Sequence, residues 1–235
     1  MKKILISDYD GTFYQNDKDI KINIDKATEF RQLGNLFVIA TGRSYVDLKM
    51  QIDKYKIPYD YLILNHGGLV LSKNLDIIEV FTLNKAEVDS ILDYVSNNKD
   101  VDDTILISTF TKDVKDTSNI VKIMLKLYNY EKASEVKSFV DKNYRNTKSY
   151  LVGEDNHYLV EIISSKASKS LMIEKIVTKE KIENKNIFTV GDGINDIDMI
   201  KKYNGYRMKT SCKELLSSAN KAVNSVSELL DNINK

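Results

Sequence analysis

Up to about Phe81, short runs of consecutive apolar residues alternate with stretches whose apolar side chains recur every third or fourth position. Ile4-Leu5-Ile6 ends at acidic residues, as a strand buried on both faces of a parallel sheet does. From Asn23 to Leu33, the residues Ile24, Ala27, Phe30 and Leu33 share one helix face, and Gly34 follows where a helix C-terminal glycine is expected. Leu36-Phe37-Val38-Ile39-Ala40 predicts a second buried strand, ending at Thr41-Gly42-Arg43. Ser44 can cap a helix reaching about Tyr55, and Pro58, the only proline, falls in the next connection. Tyr61-Leu62-Ile63-Leu64 predicts a third strand, ending at Asn65-His66-Gly67-Gly68. Strands and helices alternating through short links imply a parallel sheet with right-handed crossovers.

The pattern then changes. Lys85 to Asn97 has helical spacing, and Thr104 to Thr109 and Asn119 to Tyr128 have strand-like character. Lys132 to Tyr144 is helical again, before strand-like Lys148 to Val152 and Tyr158 to Ile163. Helix-strand-strand occurring twice is an α+β signature, and the two halves repeat elements rather than residues. Alternation resumes with a helix from about Ser168, a strand Ile187 to Val190, a helix after Gly193 and a short strand near Tyr206. The predicted fold is α/β, with a Rossmann-like parallel sheet built from residues 1–82 and 165–235 and an inserted α+β domain over 83–164.

Composition adds little to this picture. The 235 residues are 42% hydrophobic and 29% charged, ordinary for a globular protein. Thirty-five basic against 34 acidic residues leave a formal charge of +1, which gives no global pull toward nucleic acid or an anionic membrane. With Cys212 alone, no intramolecular disulfide can form. The start, Met1 to Asp8, lacks the apolar run of a signal peptide, and no stretch reaches membrane-spanning length. A soluble cytoplasmic protein is therefore expected.

Polar signals gather at the C-terminal ends of the predicted parallel strands: Asp8-Tyr9-Asp10-Gly11-Thr12, Thr41-Gly42-Arg43 and Gly191-Asp192-Gly193-Ile194-Asn195-Asp196. Ligands bind at that edge in open α/β sheets. Four acids there would repel one another without a cation, and carboxylates without a thiol cluster suit a hard ion such as Mg²⁺. Magnesium keeps few protein ligands and usually bridges to phosphate, which points to phosphoryl chemistry. Asp8, fixed at a strand end, can offer one carboxylate oxygen to phosphorus as a nucleophile and the other to the metal. Asp10 lies two residues on and on the same side of an extended segment, where it can protonate a leaving oxygen and then activate water. Gly11 permits a sharp exit from the strand, and exposed N–H groups there can hold phosphate oxygens.

In motif order across nearly the whole chain, the sequence resembles the haloacid dehalogenase superfamily, and within it the Cof-like phosphatases with a type IIB cap. The resemblance rests on Asp8-x-Asp10-Gly11-Thr12, Thr41-Gly42-Arg43, a later lysine and Gly191-Asp192-Gly193-x-Asn195-Asp196, with Asn65-x-Gly67 and Met208-Lys209-Thr210 in support. It implies that Asp8 is the nucleophile and a metal ligand, and that Asp10 is the acid/base and binds metal through its carbonyl. It also implies that Asp192 completes the Mg²⁺ site, with Asp196 as ligand or close support. Thr41 and the Gly42 N–H would hold phosphate, Asn195 would contact phosphate or Asp8, and Arg43 would reach the substrate. Lys166 and Lys169 both fall where the family places its cation; Lys169 is preferred because Ser168 caps a helix that it would open. The inserted domain would cover the cleft, in a minimal form to which the family's substrate-contacting residues do not transfer.

The expected activity is therefore Mg²⁺-dependent hydrolysis of a small phosphomonoester, with a sugar phosphate as the family-level substrate. A phosphomutase of the same superfamily would keep every motif, and a non-catalytic Mg²⁺/phosphate-binding module is a third reading. A receiver-type signalling domain would be shorter and would lack the late Gly-Asp-Gly-x-Asn-Asp segment. No P-loop is present, and Gly191 to Asp196 lacks the third glycine of a dinucleotide fingerprint. His66 borders the cleft but lacks a paired ligand in sequence, so a structural or solvated role is expected; His157 reads as a turn residue. The 14 tyrosines show no nucleic-acid stacking pattern. A core and a cap account for the apolar positions, which leaves the oligomeric state open.

Overall fold

Neighbouring residues of a strand face opposite sides of its sheet, so a buried strand must satisfy two apolar layers at once. The computed structural model, which describes residues 1–234, shows this in β1 (Ile4–Ser7): Leu5 joins one core layer, and Ile4 and Ile6 join the other. The chain continues through α1 (Asp19–Gln32), β2 (Leu36–Ala40), α2 (Tyr45–Tyr55) and β3 (Tyr61–Leu64). A hairpin follows, β4 (Leu69–Ser72) and β5 (Ile77–Val80). Next come α3 (Lys85–Ser96), β6 (Asp103–Ile107), β7 (Lys122–Leu127), α4 (Tyr130–Asn143), β8 (Thr147–Gly153) and β9 (Tyr158–Ser164). The last segment holds α5 (Lys169–Glu180), β10 (Ile187–Gly191), α6 (Ile197–Lys202), β11 (Asn204–Met208), β12 (Ala222–Val223) and α7 (Val226–Ile233).

The main sheet has eight strands in the order β12-β11-β10-β1-β2-β3-β4-β5, parallel from β12 to β3 and antiparallel through the hairpin. Helices α1, α2 and α7 cover one face, and α5 and α6 cover the other. This is the expected α/β core. Four elements go beyond the sequence expectations: the two strands of the β4–β5 hairpin, short β12, and α7, whose Val226, Leu229, Leu230 and Ile233 form a buried stripe. α1 also begins at Asp19, ahead of the expected Asn23. Asn23 lies on the buried face, donating to the Phe13 carbonyl and accepting from the Ser227 N–H, so a polar residue interrupts the apolar period there. Lys235, the last residue of the expected second core segment, lies outside the described residues.

The second sheet is antiparallel throughout, in the order β6-β7-β9-β8, and is the cap. Ile123, Leu125 and Leu127 of β7 and Val160 and Ile162 of β9 pack with Val88 and Ile91 of α3 and Val136 and Val140 of α4. Each such side chain, fully buried, contributes about 2 kcal/mol. The alternate residues turn to the opposite face, where Met124 pairs with Glu161, and Glu161 in turn with Tyr150. That face meets the core. Among the described residues, no helix is long and apolar enough to cross a membrane.

Candidate active site

The strand order β10-β1-β2 puts three strand ends side by side and with them the segments that carry Asp192, Asp8 and Thr41. Asp8 is tied to the sheet, its N–H donating to the Val190 carbonyl at 2.9 Å. Gly11 turns the chain with φ +74°, and a Cβ there would lie 2.4 Å from Asp192 Oδ2, so only glycine lets the two segments meet. Thr12 Oγ1 donates to Asp192 Oδ1 at 2.6 Å. Asp196 Oδ2 accepts from the N–H groups of Asp192 and Gly193, both at 3.1 Å, which holds the last acidic loop in a tight turn.

Lys169 enters from the other side of the sheet. Ser168 caps α5 by accepting from the Leu171 N–H, which makes Lys169 its first residue. The helix start packs on the Asn65–Gly67 turn, where Gly67 has φ +95° and a Cβ would meet the Ser168 carbonyl carbon at 2.4 Å. Lys169 Nζ donates to Asp8 Oδ1 at 2.6 Å and to Asp196 Oδ1 at 2.7 Å, with 1% of its side chain exposed. Burial disfavours this ammonium, but Asp196 and Asp8 outweigh it and hold the pKa above the ordinary lysine value. Lys166, the alternative, lines a separate cleft with Leu83, Asn84 and Asn146.

Burial pushes the Asp8 carboxyl well above the usual range; Lys169 opposes this, and Asp196 and Asp192 reinforce it. Burial likewise raises Asp192, against the bond from Thr12. One oxygen from each of Asp8, Asp192 and Asp196 lies within 4.8 Å of the others. An all-carboxylate set with surplus negative charge fits a hard divalent cation. Both oxygens of Asp196 already accept bonds, from Lys169 on one side and two backbone N–H groups on the other.

The remaining expected residues form two further groups. Asp10 is half-exposed and paired with Arg43, whose Nε and Nη2 donate to its Oδ2 and Oδ1, each at 2.8 Å. The guanidinium also lies 5.4 Å from the Tyr9 ring centre. Thr41 is buried and its Oγ1 accepts from the Arg43 N–H at 3.1 Å. Gly42 and Asn195 converge on His66, whose Nδ1 lies 3.3 Å from Asn195 Nδ2.

His66 is buried, not solvated, and its partners come from the cap. Its Nε2 lies 2.5 Å from Glu161 Oε2, and its ring stacks on Tyr150 with centres 4.3 Å apart. Lys122 Nζ donates to Glu161 Oε1 at 2.6 Å and to the Gly42 carbonyl at 2.9 Å. Sequence reasoning missed Lys122, Tyr150 and Glu161. A signal was present: a lone acid in the run Tyr158-Leu159-Val160-Glu161-Ile162-Ile163, and a lysine, Lys122, flanked by the apolar residues Val121 and Ile123-Met124-Leu125.

A family profile described as haloacid dehalogenase-like hydrolase matches residues 5–114 and 102–231. A protein of Buchnera aphidicola subsp. Schizaphis graminum, provisionally named a phosphatase, is 25% identical over 231 residues, covering 85% of this chain and 81% of its own. YxeH of Bacillus subtilis, also provisionally named a phosphatase, is 22% identical over 252 residues, covering 94% and 92%. The fold matches the crystal structure of a haloacid dehalogenase-like hydrolase from Bacteroides thetaiotaomicron with TM-score 0.84 and 16% identity, over 99% of this chain and all of that one.

Proposed function

The chain belongs to the haloacid dehalogenase-like hydrolases, and from that premise we propose that it is a Mg²⁺-dependent phosphatase acting on a small phosphomonoester through an aspartyl-phosphate at Asp8. The observation that carries this reading is the Lys169 ammonium shared by Asp8 and Asp196, beside Asp192, at the C-terminal edge of the sheet. A phosphoryl group needs a fixed nucleophile, a cation on its oxygens and a proton donor for the leaving group.

In this reading Asp8 Oδ1 stays on Lys169 while Oδ2 attacks phosphorus, forming the Asp8–phosphorus bond as the ester P–O bond breaks. Asp10 gives its proton to the leaving oxygen, then takes one from the water that attacks phosphorus and restores the Asp8 carboxylate. A phosphate ester entering the cleft competes with Asp10 for the Arg43 fork; the freed carboxylate takes up a proton from solvent, and that is the proton it gives to the leaving oxygen. Thr41, the Gly42 N–H and Asn195 hold the phosphoryl oxygens. Asp8 and Asp192, with Asp196 beside them and the Asp10 carbonyl, would hold Mg²⁺, whose charge offsets that of the carboxylates and the phosphate. We assign residues 1–82 and 165–235 to the catalytic core and 83–164 to the cap that covers it, with a sugar phosphate as the expected substrate class.

The test is phosphate release from a panel of phosphomonoesters, with and without Mg²⁺, by wild type and Asp8→Asn. Metal-dependent release that vanishes in the variant supports the proposal. A folded, Mg²⁺-binding wild type that releases no phosphate from any ester rejects it, and isomerised sugar phosphate with little free phosphate would point to a mutase.

A further inference from the structure

The buried cluster of His66, Glu161 and Lys122 has no place in the chemistry above, yet it ends on two parts of the phosphate pocket. Lys122 and Glu161 are diagonal neighbours on adjacent cap strands, both nearly inaccessible to solvent, and they form one ion pair within the cap. Two hydrogen bonds leave that pair for the core. Lys122 donates to the carbonyl of Gly42, whose N–H is assigned to phosphate, and Glu161 meets His66 Nε2. The far ring nitrogen of His66 meets Asn195.

The protons along this chain are determined by its ends. Lys122 and His66 hold the Glu161 carboxyl at about 2 against the desolvation of its buried site, so it is an anion that can only accept. Burial lowers the His66 pKa and keeps the imidazole neutral, against the pull of Glu161. A neutral ring that donates from Nε2 has its lone pair at Nδ1, where the Asn195 amide can donate. Room for the ring exists because residue 42 is glycine: a Cβ there would lie 2.4 Å from His66 Cε1. Tyr150 closes the other side of the ring. His66 also holds a left-handed backbone, φ 54°, that a histidine adopts only under constraint.

We propose that His66, Glu161 and Lys122 are positioning residues that orient Asn195 and the Gly42 peptide for the phosphoryl group when the cap is closed. Cap closure and phosphate binding are then one coupled event: the cap carries the groups that complete the pocket without touching phosphate. This rests on the phosphatase reading for its reaction, but not for its binding arm.

The experiment compares wild type, His66→Ala, His66→Gln and Glu161→Gln in two assays. One follows hydrolysis of p-nitrophenyl phosphate with Mg²⁺ for kcat and KM, and the other measures affinity for inorganic phosphate with Mg²⁺ by calorimetry. Far-UV circular dichroism and thermal melts identify variants that are folded. His66→Ala should lower kcat/KM by roughly 100-fold, the effect of a small misplacement of binding groups, and should weaken phosphate binding. His66→Gln keeps one donor and one acceptor on the same side chain and should recover most of both losses. Glu161→Gln should also weaken phosphate binding. Charge alone predicts the reverse, since that substitution removes an anion and frees Lys122. Tighter or unchanged phosphate affinity in Glu161→Gln, or a glutamine variant no better than alanine, would overturn the proposal. If wild type hydrolyses no ester, the phosphatase reading fails, and the phosphate affinities of the same variants still decide the positioning role.

Discussion

The edge of the main sheet and the inward face of the cap sheet both bury charge, with opposite electrical results. At the core edge, three carboxylates, Asp8, Asp192 and Asp196, share a single ammonium, that of Lys169. Burial raises the pKa of Asp8 and of Asp192, and the negative charge of Asp196 beside them raises both further. At the cap face, Lys122 and Glu161 neutralise each other beside a neutral imidazole, and Glu161 sits well below its ordinary value. In the proposed reading, a cation and a ligand complete the first region. The second is complete as it stands, provided the cap is closed. An electrostatically unfinished site is suited to chemistry, and a finished one to holding geometry.

The largest break in this contrast should come from Lys169→Met, which leaves Asp8 and Asp196 buried without their counter-charge. Metal-free stability should fall by about 4 kcal/mol in denaturant titrations, and phosphate release should drop by about 10²–10³-fold. A variant that retains wild-type turnover would place the essential cation elsewhere. Glu161→Gln should cost about 3 kcal/mol, because Lys122 is left buried and unpaired. Its pH dependence has a definite sign. The folded-state pKa of Glu161 lies below the ordinary 4.5, so its stabilisation is complete above that value and is lost as pH falls toward about 2. The gap between wild type and Glu161→Gln should therefore narrow below about pH 4.5, and a constant gap would deny the ionised pair.

Mg²⁺ separates the two regions directly. At about a hundredfold excess over its Kd it should raise stability by about 2.7 kcal/mol in wild type and in Glu161→Gln, but by much less in Asp192→Asn. Equal gains in all three proteins would move the metal away from the core edge. The smallest effect belongs to the cap's own apolar layer. Ile91→Val should cost about 1 kcal/mol and leave kcat/KM for p-nitrophenyl phosphate unchanged.

The same contrast explains what could be read from the sequence. The core residues are legible because backbone geometry places them: each follows a strand or opens a helix, and Asp8, Thr41, Lys169 and Asp192 stand at such positions in the chain itself. The parallel strands and most helices were legible for the same reason, from apolar runs and caps such as Ser44 and Ser168. Helix α7 carried a clear helical stripe but no chemistry, and the β4–β5 hairpin continues the sheet past the glycines at which the third strand ends. The cap residues depend on partners distant in sequence. Glu161 acquires meaning only when His66 and Lys122 are beside it, and neither separation follows from any local period. The Asp10–Arg43 fork is likewise a pairing between two strand ends that spacing does not reveal.

The most direct test of the central claim is to mix the protein with a rapidly cleaved phosphomonoester and Mg²⁺, quench in acid within the first turnovers, and map phosphate on peptides by mass spectrometry. The account predicts a phosphate adduct on the peptide carrying Asp8, absent from Asp8→Asn and formed before the burst of free phosphate ends. Full turnover with no adduct at Asp8, or with an adduct on another residue, would contradict it.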